Sequence, residues 1–175
     1  MKQLVADVAV GTAAGLVASG LIGPLQKALY GLTPPPAKRR EEKVRPGDPT
    51  EIAAKKLHQQ TGAQRAGQDI ERSASAIHYA TGAAWGPVYG LLRRYSGMTP
   101  VGAALVTGAS MSLIVDEAVT PAMGFSAPSR EYPAATHVRG FLAHLAFGAV
   151  VAAAAETLYR LTDTGPESAG APGAA

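Results

Sequence analysis

VAVGTAAGLVASGLIGPLQ, residues 8–26, is the stretch that decides the fold. It carries no charge, and its only polar side chains are Thr12, Ser19 and the terminal Gln26. A helix half-immersed in water needs a polar face recurring about every 3.6 residues, and no rotation of this segment supplies one. A helix rises about 1.5 Å per residue and the apolar layer of a bilayer is about 30 Å thick, so roughly 20 such residues cross it. The segment reads as a membrane span.

Working outward, three more runs are free of charged residues: 73–92, 95–115 and 140–155. The last reaches spanning length if Glu156 sits near a boundary and the helix continues to Tyr159, with Arg160 as the anchor. The fold class predicted is all-α, an integral membrane four-helix bundle with spans at about 4–25, 73–92, 98–120 and 139–159. A charged first loop, 34–72, contains a short interfacial helix. These make one transmembrane helical domain over 1–161, followed by a Gly/Pro/Ala-rich tail, 162–175, read as disordered. The mean hydropathy of +0.07 averages the apolar blocks with the charged loop and tail. A formal charge of +3 gives no nucleic-acid signature, so the expected partner is the lipid bilayer, with a homo-oligomer or a membrane protein partner also open. The chain has no cysteine, which excludes disulfides and thiolate metal sites. The first apolar run outlasts the 7 to 15 residues of a signal-peptide core, and Asp7 interrupts its start, so it reads as a retained helix.

Small residues fall in register. Gly11, Gly15, Ser19 and Gly23 recur every four residues, as do His78, Gly82, Gly86 and Gly90, so each set forms a stripe that lets a neighbouring backbone approach. The first helix is predicted to break near Gly23-Pro24. Pro34-Pro35-Pro36 predicts an extended segment, and 38–45 a solvated linker. Asp48-Pro49-Thr50-Glu51 is an N-terminal capping signature for a short helix, which either lies on an anionic membrane face or is simply solvated. Tyr30, Tyr95, Tyr132 and Tyr159 fall near span ends, where aromatic rings anchor. With the N-terminus outside, twelve Lys/Arg lie on the cytoplasmic side (Lys27, nine from Lys38 to Arg72, Arg130 and Arg139). Four lie outside: Lys2, Arg93, Arg94 and Arg160.

A carboxylate inside a bilayer costs about 2.5 to 3.5 kcal/mol, which singles out Asp116-Glu117. Pro121 has no N–H for the carbonyl of Glu117, so an acceptor is freed beside two acids. Either this is a cation-attracting or proton-handling site, or the helix has already crossed and the acids cap it in the headgroup layer. His78 and His144 sit within apolar helices, where each forms an interhelical hydrogen bond or joins Asp116 and Glu117. His78, Asp116, Glu117 and His144 are thus the candidate polar intramembrane site. His137 and His144 stand about 10 Å apart along one helix, too far to share a metal ion. No dinucleotide or phosphate-loop motif occurs, and Gly108-Ala109-Ser110-Met111-Ser112 lacks the closing glycine of a nucleophile elbow. No catalytic residue, cofactor or metal is assigned, and no enzyme is expected.

Three stretches also carry a resemblance: His78-Tyr79 through Gly82 and Gly86 to Tyr89-Gly90; Asp116-Glu117 to Pro121 and Gly124-Phe125-Ser126; and His137 through His144 to Phe147-Gly148. Together they resemble the YagU-like family of small bacterial inner-membrane proteins, over roughly Leu4 to Leu161. The resemblance implies a multi-pass protein of the bacterial inner membrane with no settled biochemical activity. The expected role is a non-enzymatic, envelope-associated or accessory component. The rival expectation is a small proton-coupled or cation transporter using the intramembrane Asp, Glu and His.

Overall fold

The computed structural model describes residues 1–62 and 67–166, and all regular structure there is helical. Helix α1 is Lys2–Leu32, α2 Pro35–Val44, α3 Pro49–Gln60 and α4 Gln68–Tyr95. Helix α5 is the rod Pro100–Ala122, of which Ser112–Val119 is π-helical, and α6 is Ala134–Thr162. Residues 167–175 of the predicted tail lie outside the described residues.

Neighbouring long helices run antiparallel. Asp7 and Ser19 of α1 meet Arg94 and His78 of α4 in reverse order. Asp7 also meets Tyr159, while Thr33 meets Arg139, so α6 runs against α1. Helix α5 runs against α6, because a Cβ on Gly148 would meet Ala104 while Asp116 faces His144. The result is an up-and-down bundle with a terminal end, near Asp7, and a loop end, near Asp116.

Helices α1, α5 and α6 are long and apolar enough to cross a membrane. Helix α4 was expected as a fourth span. It is 28 residues long but less apolar, since Ser73, Ser75, His78, Tyr79 and Thr81 occupy its first half. Absence of charge is a weaker criterion than presence of hydrocarbon.

Small residues make up much of the interior, with Ala14, Ala18, Ala103, Ala143 and Ala155 buried around the larger Ile22, Tyr89, Phe147, Val151 and Tyr159. Large apolar side chains face outward, among them Leu16, Val17, Leu21, Leu105, Leu113, Ile114 and Leu142. In water this would forfeit about 25 cal/mol for each Å² of apolar surface left wet. A lipid surround removes that penalty, and close backbone packing takes over as the cohesive force.

The predicted glycine seam is where the backbones touch. A Cβ on Gly11 would stand 2.5 Å from the Pro87 Cα, and one on Gly90 would stand 2.6 Å from the Tyr159 Oη. On Gly15 it would meet the Gly82 carbonyl, and on Gly86 the Gly11 carbonyl. Gly108 and Gly148 form an equivalent seam between α5 and α6. Gly23, the last of the first predicted stripe, faces open space and takes no part.

Two local expectations are overturned. Helix α1 does not break at Gly23-Pro24 but continues through Pro24 to Leu32. The 34–45 stretch gives neither an extended segment nor a solvated linker: Glu41 on α2 is buried, Pro34 is the N-cap, and Pro35 and Pro36 occupy the first turn of that helix. There the missing N–H groups have no helical partner to lose. Helix α3 starts as predicted, with Asp48 Oδ1 accepting from the Thr50 N–H at 2.9 Å and the Glu51 N–H at 3.4 Å. It buries Ala54 against Ile70 and Ala74, and Lys56 Nζ donates to the carbonyls of Met123 (2.8 Å) and Gly124 (3.0 Å), so it braces the loop end.

Candidate functional site

The π-helical stretch sets the site. Pro121 offers no N–H to the Glu117 carbonyl, and around it the bonding shifts by one residue, with the Thr120 N–H reaching the Val115 carbonyl. The freed Glu117 carbonyl accepts from Ser129 Oγ at 3.3 Å. Both acids thereby face α6. Asp116 Oδ2 lies 3.2 Å from His144 Nδ1, which also bonds the Gly140 carbonyl at 2.9 Å. Glu117 Oε1 lies 2.6 Å from His137 Nδ1, and His137 Nε2 lies 3.1 Å from the Ser129 carbonyl. Because that carbonyl only accepts, His137 must donate through Nε2, which ties the 123–133 loop to α6.

Beside this pair of dyads, Arg139 Nη2 donates to both carboxylate oxygens of Glu41, at 2.7 and 2.9 Å. Thr136 Oγ1 adds a bond to Glu41 at 2.7 Å, and Arg139 Nη1 reaches Thr33 Oγ1 at 3.2 Å. Glu41 is only 2% exposed. Burial pushes its carboxyl up, but the hydrogen bonds from Arg139 and Thr136 outweigh it and hold the group below its ordinary range. The Arg139 guanidinium and the Lys38 ammonium each stand 5.0 Å from the Tyr30 ring centroid. Between these groups opens a vestibule of about 620 Å³, lined by Lys27, Arg45, Asp116, Glu117, His137 and Arg139, among others.

Of the four candidate residues, Asp116, Glu117 and His144 come together. His78 does not: its Nε2 bonds the Ser19 carbonyl at 3.1 Å across the α1/α4 seam, the interhelical alternative. Asp116 is 37% and Glu117 29% exposed at the side chain, so neither is sealed in the core. His137, Arg139 and Glu41 were not predicted as site residues. The signal available was Arg139, the one basic residue at the start of an otherwise apolar helix, which required a partner.

Sequence reasoning also missed a second charged cluster, at the terminal end. Asp7 is fully buried and is held by Arg94 through two hydrogen bonds, one of them 3.0 Å, and by Tyr159 Oη at 2.9 Å. Arg93 Nε and Tyr89 Oη both donate to Glu156 Oε1 at 2.7 Å. Arg94 and Arg93 spend further donors on the carbonyls of Thr164 (2.8 Å) and Met98 (2.7 Å). Asp7 and Glu156, read as an interruption and a boundary, are the counterions of Arg94 and Arg93, two of the basic residues counted toward the outside.

Among the described residues no group of three or more His, Asp or Glu is arranged to hold a metal ion. Ser110, the residue at the elbow-like position, donates to the Val106 carbonyl of its own helix. Compared with known proteins, the chain matches no family model, no curated protein and no solved structure.

Proposed function

We propose that the chain is a multi-pass protein of the bacterial inner membrane, akin to the YagU-like family its motifs resemble. It serves there as a non-enzymatic envelope-associated or accessory component that acts by binding at the loop-end vestibule. The observation that carries the membrane reading is the distribution of side chains: an interior made mostly of alanine and glycine around a few large residues, and a wide exposed surface of leucine, isoleucine and valine. The charge distribution supports a cytoplasmic loop end. The test is alkaline extraction of the untagged protein from cell membranes. Retention in the pellet is expected, and release into the supernatant would overturn the reading. Single cysteines at 116 and 117, in a chain with no native thiol, are expected to react with a membrane-impermeant maleimide applied from the cytoplasmic side.

A second reading, proton or cation transport, is favoured by the tandem Asp116/His144 and Glu117/His137 contacts. Against it, the buried core next to His144 is mostly apolar, Ala104, Ala143, Phe147 and Val151 with the Gly108 and Gly148 backbones in contact, and its buried polar groups on α5 are the hydroxyls of Thr107 and Ser112, with no ionisable group between them and the terminal end. In reconstituted vesicles, wild type, Asp116→Asn and Glu117→Gln are all expected at the empty-vesicle baseline. A flux present in wild type and lost in either variant would establish transport instead.

A further inference from the structure

The vestibule is two-signed, and its charges are not all spent. Glu41 and Arg139 satisfy each other. Asp116 and Glu117 each engage one oxygen with a histidine, and their second oxygens have no partner among the described residues. Lining the same cavity are two cations with spare capacity. Lys27 has no hydrogen-bond or ion-pair partner among the described residues, and Arg45 donates Nε to the Gly47 carbonyl at 3.1 Å but holds Glu41 and Asp48 only at 3.9 and 3.8 Å, which leaves its two terminal nitrogens without a close acceptor.

A cavity with this lining disfavours a simple anion, which two half-free carboxylates would repel, and a simple cation, which Lys27 and Arg45 would repel. It fits a ligand that carries both signs. Carboxylate oxygens are best met by a compact ammonium with N–H donors, and Lys and Arg by a phosphate. The cavity lies beside the C-terminal part of α1, at the end of the three apolar helices, which is the depth of lipid headgroups if the chain spans a bilayer.

We propose that this vestibule binds a zwitterionic amino-phosphate group, a primary ammonium joined by a short linker to a phosphate, as in the headgroup of phosphatidylethanolamine. The ammonium sits on Asp116 and Glu117 and the phosphate on Lys27 and Arg45. The proposal rests on the binding reading above and adds the ligand's chemistry.

The test is lipid retention by the full chain purified in detergent, read by native mass spectrometry with phosphatidylethanolamine, phosphatidylcholine or phosphatidylglycerol. Retention of the ethanolamine lipid is expected to exceed both others by at least about fivefold, a difference of about 1 kcal/mol. The choline headgroup has no N–H to give the carboxylates, and the glycerol headgroup has no cation. Lys27→Gln, a change at an exposed and unpartnered side chain, is expected to weaken retention of the ethanolamine lipid and the glycerol lipid alike. Asp116→Asn is expected to lose only the preference for ethanolamine over glycerol. An arm with soluble phosphoethanolamine separates the sources: displacement of the lipid by it identifies a free metabolite as an equal ligand, and no displacement identifies the lipid. Equal retention of the three lipids by wild type, a preference untouched by Asp116→Asn, or a retention untouched by Lys27→Gln, would overturn the proposal. Alkaline extraction is a separate measurement, so failure of the membrane reading and failure of the ligand assignment are told apart.

Discussion

The two ends of the bundle use the same residue types and reach opposite conditions. At the terminal end, Asp7 is enclosed with both oxygens bonded by Arg94 and Tyr159, Glu156 takes two donors, from Arg93 and Tyr89, on one oxygen, and the spare arginine donors go to backbone carbonyls. At the loop end, Asp116 and Glu117 are each half-engaged and border a cavity. A buried charge whose hydrogen-bonding capacity is consumed by its own chain is a structural fastener. One that keeps free capacity toward a cavity is available to a ligand. Burial by itself does not separate the two, since the fully enclosed Asp7 belongs to the fastener.

The largest expected effect breaks the terminal end. Asp7→Ala leaves the Arg94 guanidinium uncompensated and should destabilise the protein by about 3 to 5 kcal/mol, measured by denaturation in detergent. Asp7→Asn should recover part of that loss, because the amide oxygen still accepts. A loss below about 1 kcal/mol for Asp7→Ala would mean that the terminal end is no fastener.

Next comes Glu41, whose carboxyl is held below its ordinary range by Arg139 and Thr136. A depressed carboxyl contributes stability that is present above its unfolded-state value and lost as pH falls through the folded-state value. Wild type should therefore lose stability relative to Glu41→Gln as the buffer drops below about pH 4.5, with the two converging in acid. At neutral pH the variant should be weaker by about 1 to 3 kcal/mol. A gap that stays constant with pH would remove the ion pair from the account.

A smaller effect is expected at Ser129→Ala, which takes away the donor to the Glu117 carbonyl and should cost about 0.5 to 1.5 kcal/mol. Faster amide exchange confined to the 123–133 loop would show that the bond fastens that loop. The smallest effect is expected at Asp116→Asn. Its side chain is 37% exposed, so the change in stability should stay within about 1 kcal/mol while ligand preference changes. A severe loss of stability there would make the two ends alike and sink the comparison.

How much of this was legible follows from the range of each interaction along the chain. The uncharged run 8–26 announces α1, and the spacing of Gly11 and Gly15, and of Gly82 and Gly86, announces a close-packing stripe on each helix, because these are patterns local to one helix; that the two stripes meet each other required the fold. Pro121 likewise told that the Glu117 carbonyl was free, but not that Ser129 would take it, since that depends on the path of a loop. Asp7 with Arg94, 87 residues apart, and Glu41 with Arg139, 98 apart, required the packed bundle. Pro34 to Pro36 misled for a different reason. Proline is poor inside a helix and welcome in its first turn, and the distinction depends on where the helix begins.

The π-helical stretch 112–119 has a consequence for engineering the chain. Its wider turns hold more residues than the α turns above and below, so it acts as a shim that fixes the phase of Asp116. Deleting a single residue there lets the rod relax to ordinary α geometry, while each residue's worth of phase is about 100° of rotation. The rod would keep its length to within about 1.5 Å and the residues on either side of the stretch would stay close to their original phase, because the lost residue is the one the wider turns held, while the acids within the stretch would turn. This makes the stretch a place where the direction in which the acids face can be reset independently of the rest of the bundle.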